Sequence, residues 1–256
     1  MAFASLTIEG APLRIEYEWA GAASGAPVLV FLHEGLGSVA MWRDFPARLC
    51  EVVGARGLVY SRPGYGKSTP RAADGKWLPD FMHHQAQTVL PALLQELGIV
   101  RPWLFGHSDG GSIALLYAAA FPQALQGVIV LAPHILVEDI SVSSIAKARE
   151  AYLQTDLKQR LGRYHDDPDS AFWGWNDIWL APEFRDWSIE AELSAIRCPV
   201  LAMQGVDDEY GTLEQIRGIA RRVPQAELLE LPGCGHSPHK DQPRAVIAAV
   251  ARFMQR

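Results

Sequence analysis

The chain has 256 residues, 49% of them hydrophobic, and a formal net charge of −6. That is enough apolar material for a well-buried core in one large domain or a domain carrying an insertion. No run of Lys or Arg stands out, which argues against a nucleic-acid surface, and no apolar run has the length of a membrane span. Cys50, Cys198 and Cys234 lie far apart without metal-ligand spacing, a pattern that fits a reducing compartment. The N-terminus alternates apolar and charged residues like a strand rather than a signal peptide. The expectation is a cytoplasmic protein that binds no metal, organic cofactor or membrane.

In chain order, strands are expected near 4–9 and 12–19, joined by the turn at Gly10-Ala11-Pro12, with the alternation of "LRIEYEW" marking a half-exposed antiparallel partner. "PVLVFLH" (27–33), "RGLVYSR" (56–62), "RPWLFGH" (101–107), "GVIVLAP" (127–133), "CPVLAMQG" (198–205) and "AELLELPG" (226–233) follow. They are continuous apolar runs, as strands buried on both faces require. Helical patterns lie between them at about 40–50, 79–98, 109–121, 212–222 and 243–255, and Pro91 predicts a kink in the second. The alternation argues for a mostly parallel eight-stranded α/β sheet with helices on both faces. Residues 134–196 contain no convincing buried strand and hold Trp173, Trp175, Trp179 and Trp187. They read as a helical cap inserted into a core of residues 1–133 and 197–256.

"GHSDG" (106–110) places Ser108 between small residues where a strand turns into a helix. A nucleophilic serine needs such a turn, because a strained backbone lifts its hydroxyl above the sheet and larger neighbours would clash. It also needs a base and an orienting carboxylate. His236 lies in a glycine-flanked loop just past one strand, with His239 as a rival further on, and Asp207 and Asp208 lie just past the preceding strand. The order Ser, Asp, His is the one such a fold uses. Two backbone N–H groups must face the developing oxyanion. One is expected from Asp109 and the other from "HEGLGS" (33–38).

"FLHEGLGS", "YSRPGYGKS", "LFGHSDGG", "GVDDEYGT" and "GCGHSPH" together make the sequence resemble the α/β-hydrolase superfamily along essentially its whole length. The resemblance implies Ser108 as nucleophile, His236 as general base and acid, Asp208 rather than Asp207 as the acid, and Gly35 as the second oxyanion donor. The usual His-Gly dipeptide reads His33-Glu34 here, so a side chain stands where relatives have none. Ser61, where many relatives carry an aspartate, reads as part of a structural turn. His107, His134, Trp173 and Trp175 are candidate contacts to a small, apolar or aromatic substrate, whereas His83 and His84 read as ordinary helix residues.

The leading expectation is hydrolysis of a small carboxylic ester or thioester through an acyl-enzyme. A carbon–carbon bond hydrolase of vinylogous diketones would use the same triad and would need a cation for a substrate carboxylate. Arg62, Arg149, Arg160 and Arg185 are available for that. A non-catalytic small-molecule receptor is the alternative from another class. Haloalkane dehalogenases and epoxide hydrolases of this superfamily place an aspartate where this chain has Ser108, which disfavours both.

Overall fold

The computed structural model describes residues 1–22, 25–72 and 75–255. Eight strands form a single sheet: β1 (Ala2–Ile8), β2 (Ala11–Gly21), β3 (Val28–Leu32), β4 (Arg56–Tyr60), β5 (Trp103–His107), β6 (Gly127–Leu131), β7 (Val200–Gly205) and β8 (Ala226–Leu231). Their spatial order is β1-β2-β4-β3-β5-β6-β7-β8. Only β2 runs against the others, pairing antiparallel with both β1 and β4. The remaining ladders are parallel, so the C-terminal ends of β3 to β8 share one edge of the sheet.

Successive strand residues point to opposite faces, and both faces are buried. Val30, Leu32, Leu104, Val128 and Val130 enter one core, while Phe31, Phe105, Ile129, Leu201 and Met203 enter the other. The second core is covered by α1 (Phe45–Val53) and, at the chain's end, α10 (Pro243–Met254), through residues such as Leu49, Val246 and Phe253. The first is covered by α2 (Phe81–His84), α3 (Leu90–Glu96), α4 (Asp109–Ala120) and α8 (Glu214–Arg222).

The expected helix over 79–98 is interrupted before Pro91. Gln85–Val89 winds as a π turn between α2 and α3. Pro91 has no N–H to offer the carbonyl four residues back, so the helix widens where that bond is lost.

Between β6 and β7 lie α5 (Asp139–Gln154), α6 (Leu157–Leu161) and α7 (Pro168–Trp179), followed by two short 3-10 turns. The only pairing of strand type among the described residues of this segment is one isolated bridge, Leu136 to Ser188. α7 starts well because Asp167 accepts the Ser170 N–H at 2.8 Å and Pro168 occupies the first turn. The short helix α9 (Pro238–Asp241) follows β8. No helix among the described residues is long and apolar enough to cross a membrane.

α4 is buried almost all round, and close approach sets its position. A Cβ at Gly110 would overlap the backbone carbonyls of Leu32 and His33, and one at Gly106 would overlap the Gly110 carbonyl. Backbone cannot swing aside as a flexible side chain can. Gly110→Ala is therefore expected to destabilise the fold by about 1–3 kcal/mol. Gly162→Ala, whose new methyl would meet nothing closer than 3.5 Å, should stay within about 0.5 kcal/mol of the parent. Urea unfolding of the two variants checks the contrast.

Candidate functional site

Ser108 stands between β5 and α4 with φ 53° and ψ −123°. A non-glycine residue adopts such a conformation only under constraint. Its N–H donates to the Leu131 carbonyl of β6 at 2.9 Å, and its carbonyl accepts from Gly111 and Ser112 at 2.8 and 3.1 Å. The hydroxyl is thereby aimed at the loop that follows β8. There His236 Nε2 lies 2.9 Å from Ser108 Oγ, and His236 Nδ1 lies 2.8 and 3.0 Å from the two carboxylate oxygens of Asp208. Nδ1–H donates to Asp208, which leaves Nε2 free to accept the serine proton.

Asp208, not Asp207, makes this contact. Asp208 is buried, Asp207 exposed. Gln204 Nε2 and the Tyr210 N–H donate to its carboxylate at 3.0 and 2.8 Å. Burial pushes the Asp208 carboxyl up, but the bonds from His236 and the Tyr210 N–H outweigh it and hold it below the usual carboxylate range.

The two loops are joined by backbone. The Val206 and Asp207 N–H groups donate to the Leu231 and Cys234 carbonyls, and a Cβ at Gly205 would overlap the Cys234 and Gly235 carbonyls. Side chains then fix His236 from both sides. Glu209 accepts its N–H at 3.1 Å, and His107 Nε2 donates to its carbonyl at 2.7 Å.

The Asp109 N–H, at the first position of α4, has no partner within the helix. The loop after β3 carries Gly35, whose N–H makes no hydrogen bond among the described residues. Both residues line the same cavity as Ser108 and His236. That loop is pinned by His33, which donates from Nδ1 to the Glu34 carbonyl at 2.6 Å and accepts the Arg62 N–H at Nε2. Arg62 is 1% exposed, donates to the same Glu34 carbonyl and lies 3.8 Å from the Asp109 carboxylate. Burial pushes the Asp109 carboxyl up against the pull of Arg62, and Trp179 Nε1 donates to it at 3.2 Å.

Glu34 does not block the loop. Its carboxylate turns aside, 3.5 Å from His107 Nδ1 and 3.4 Å from Lys240 Nζ. Burial pushes the group up, but His107 and Lys240 prevail and hold it well below the ordinary range.

The cavity beside Ser108 has a volume of about 140 Å³. Leu36, Ile145, Trp175 and Trp179 form its apolar wall, with His107, His134 and Tyr210 beside Ser108 and His236. Gly35 lets the Trp175 indole close against the loop, since a Cβ there would overlap the ring. Trp173 is corrected: it does not line this cavity but packs on Tyr152 and Phe172 and carries Arg149 over its face. Two residues along a helix turn through about 200°, so Trp173 and Trp175 face opposite ways.

Ser61 also lies away from the cavity, donating to Glu16 and accepting the Val39 N–H. His239 makes no bond to Ser108 and packs against Trp42. His83 and His84 face Glu192 and Glu9. Sequence reasoning missed Tyr210, Gln204 and Glu209. Tyr210 alone left a signal, standing two residues past Asp208, where a loop N–H can turn back to a carboxylate.

The match of residues 29–250 to the model of the alpha/beta hydrolase family makes this chain a member of that family. It is 24% identical to the sn-1-specific diacylglycerol lipase ABHD11 of Mus musculus over 95% of this chain and 86% of that protein. It is 23% identical to a 2-hydroxy-6-oxononadienedioate/2-hydroxy-6-oxononatrienedioate hydrolase of Burkholderia vietnamiensis over 99% and 95% of the two chains. Among solved structures, one from a study of carboxylesterases of the thaumarchaeon Nitrososphaera gargenis superposes with a TM-score of 0.79. It is 21% identical and covers 98% and 97% of the two chains. At that identity the superposition speaks for the fold alone.

Burial also pushes five histidines below the ordinary imidazole value. It lowers His134 to about 3, with the His236 charge helping, and it is the leading cause of the lowered values of His33, His107, His165 and His239. Below about pH 6.5 the unfolded chain protonates these rings while the folded chain resists. The unfolded state thus binds more protons, and stability falls as pH drops through the window from about 6.5 to 3. His134→Gln is expected to remove about 1 kcal/mol per pH unit of that slope between pH 6 and 5. Urea unfolding at the two pH values measures it.

Proposed function

We propose that the protein is a serine hydrolase that cleaves a small carboxylic ester or thioester through an acyl-enzyme. The observation that carries this reading is the chain Ser108 Oγ, His236 Nε2, His236 Nδ1, Asp208, with every link between 2.8 and 3.0 Å. Ser108 attacks the carbonyl carbon while His236 takes the hydroxyl proton, and the N–H groups of Gly35 and Asp109 hold the tetrahedral oxyanion. His236 then protonates the leaving alcohol or thiol. A water, deprotonated by His236, attacks the acyl-serine, and the acid leaves with Ser108 reprotonated. Asp208 keeps Nδ1 protonated throughout and stabilises the imidazolium.

The cavity of about 140 Å³ is well below the range of sites for drug-sized ligands, which supports a short acyl group. Its aromatic wall from α7 supports an apolar or planar substrate under a helical cap. Carbon–carbon hydrolysis is the second reading. It is weakened because none of Arg62, Arg149, Arg160 and Arg185 lines the cavity. Arg160 and Arg185 pair with Asp156 and Asp139. Three free, buried cysteines support a reducing compartment, hence the cytoplasm.

Rates on p-nitrophenyl esters of increasing acyl length test the reading. Turnover should peak at short acyl chains and fall at least about 1,000-fold in Ser108→Ala. Asp208→Asn is expected to lose about 100-fold or more, and Asp207→Asn to stay within about twofold because its exposed side chain touches neither loop partner. A folded wild type that turns over a ring-cleavage dienoate and no ester would transfer the assignment to carbon–carbon hydrolysis.

A further inference from the structure

A second cavity lies on the far side of the histidine loop, with a volume of about 370 Å³, within the range of small-molecule sites. Met41, Trp42, Phe45 and Pro243 give it an apolar, largely aromatic floor. Trp42 and His239, which line it, are 3% and 4% exposed. Trp42 Nε1 and His239 Nδ1 are both buried without a hydrogen-bond partner among the described residues. An indole N–H can only donate, and a neutral imidazole brings one N–H of its own. Buried donors are almost always paired in native folds, and the Trp42 N–H, a donor whichever imidazole nitrogen carries the proton, lacks an acceptor behind this wall.

The rim points the same way. Arg43, Arg48 and Lys240 oppose a single carboxylate, Asp44, in a chain whose net charge is −6. Arg48 lies 3.6 Å from Asp44, and Lys240 lies 3.4 Å from Glu34. The Arg43 guanidinium has no ion pair or hydrogen bond among the described residues, and its backbone stands at φ 52° just past the 3-10 turn Val39–Trp42.

We propose that this cavity binds a small organic monocarboxylate, its charge held by Arg43 and Arg48 and its apolar body set against Met41 and Pro243 at the edge of the aromatic floor. With Arg48 paired to Asp44 and Lys240 to Glu34, Arg43 is left over of the three rim cations, which suits a single negative charge, and the apolar floor suits an organic body better than a bare anion. The site is independent of the chemistry at Ser108, yet the two cavities share a wall. Lys240 and His239 line this one, and their partners Glu34 and His107 line the other. The His107 and His239 rings stand 4.8 Å apart.

Titration calorimetry with benzoate at 0.15 M NaCl and pH 7 tests the proposal. Benzoate should bind the wild type, and the double variant Arg43→Gln, Arg48→Gln should weaken it at least tenfold with unchanged thermal unfolding. Neither arginine lines the cavity of Ser108, so that loss would place the ligand on this side of the wall. Should the double variant unfold, Arg43→Gln alone carries the comparison. The absence of benzoate binding, or the same affinity in the variant, would overturn the proposal. Inorganic phosphate binding as tightly as benzoate would overturn the assignment to a monocarboxylate.

Discussion

Ser108 holds a backbone conformation that costs a non-glycine residue on the order of 1–3 kcal/mol, and the sheet sustains it by denying the chain room to relax. Gly106 and Gly110 are the means. The end of β5, the first turn of α4 and the end of β3 come so close that a methyl group at either glycine would strike a carbonyl. The Leu131 carbonyl holds the serine N–H in place from β6. Once the hydroxyl is lifted above the sheet edge, every other group at the site must come to it from the ends of neighbouring parallel strands. A ligand crevice outside the strand C-termini is the general consequence of that topology.

His236 arrives on a loop, and loops are mobile unless tied down. Here the tying is done through the backbone as much as the ring. Glu209 holds its N–H and His107 holds its carbonyl, so the imidazole has little freedom beyond the rotation that Asp208 then removes. His107 faces Glu34, and Glu34 faces Lys240, which makes a line of charged and polar side chains from the Ser108 cavity to the surface. The departure from the usual His-Gly dipeptide therefore has a place in the structure. The side chain at position 34 folds away from Gly35 and into this line.

The sheet was legible because its strands are continuous apolar runs, and the expected segments differ from the observed strands by only a few residues at their ends. The elbow was legible because Ser108 stands between small residues at a strand-to-helix junction. The inward aromatics of α7 were less so. Trp173 and Trp175 look alike in sequence, and helical geometry alone puts only one of them on the cavity side. Asp207 and Asp208 are likewise adjacent and chemically identical. What separates them is burial and the donors Gln204 and Tyr210, which exist only once β7 and its loop have folded.

The sequence by itself determined the class of fold, the serine at the turn from β5 to α4 and the chain order of the candidate groups, because periodicity and local turn chemistry are properties of short stretches. The tertiary structure alone decided distances between loops separated by about a hundred residues of chain. It chose the carboxylate, sized the cavity, pushed the buried histidines below their ordinary values and gathered Trp42, Arg43, Arg48 and His239 around a second cavity. Those outcomes depend on desolvation and on packing between distant segments. Neither is encoded in any local pattern, because each arises only when separate strands bring their ends to one edge.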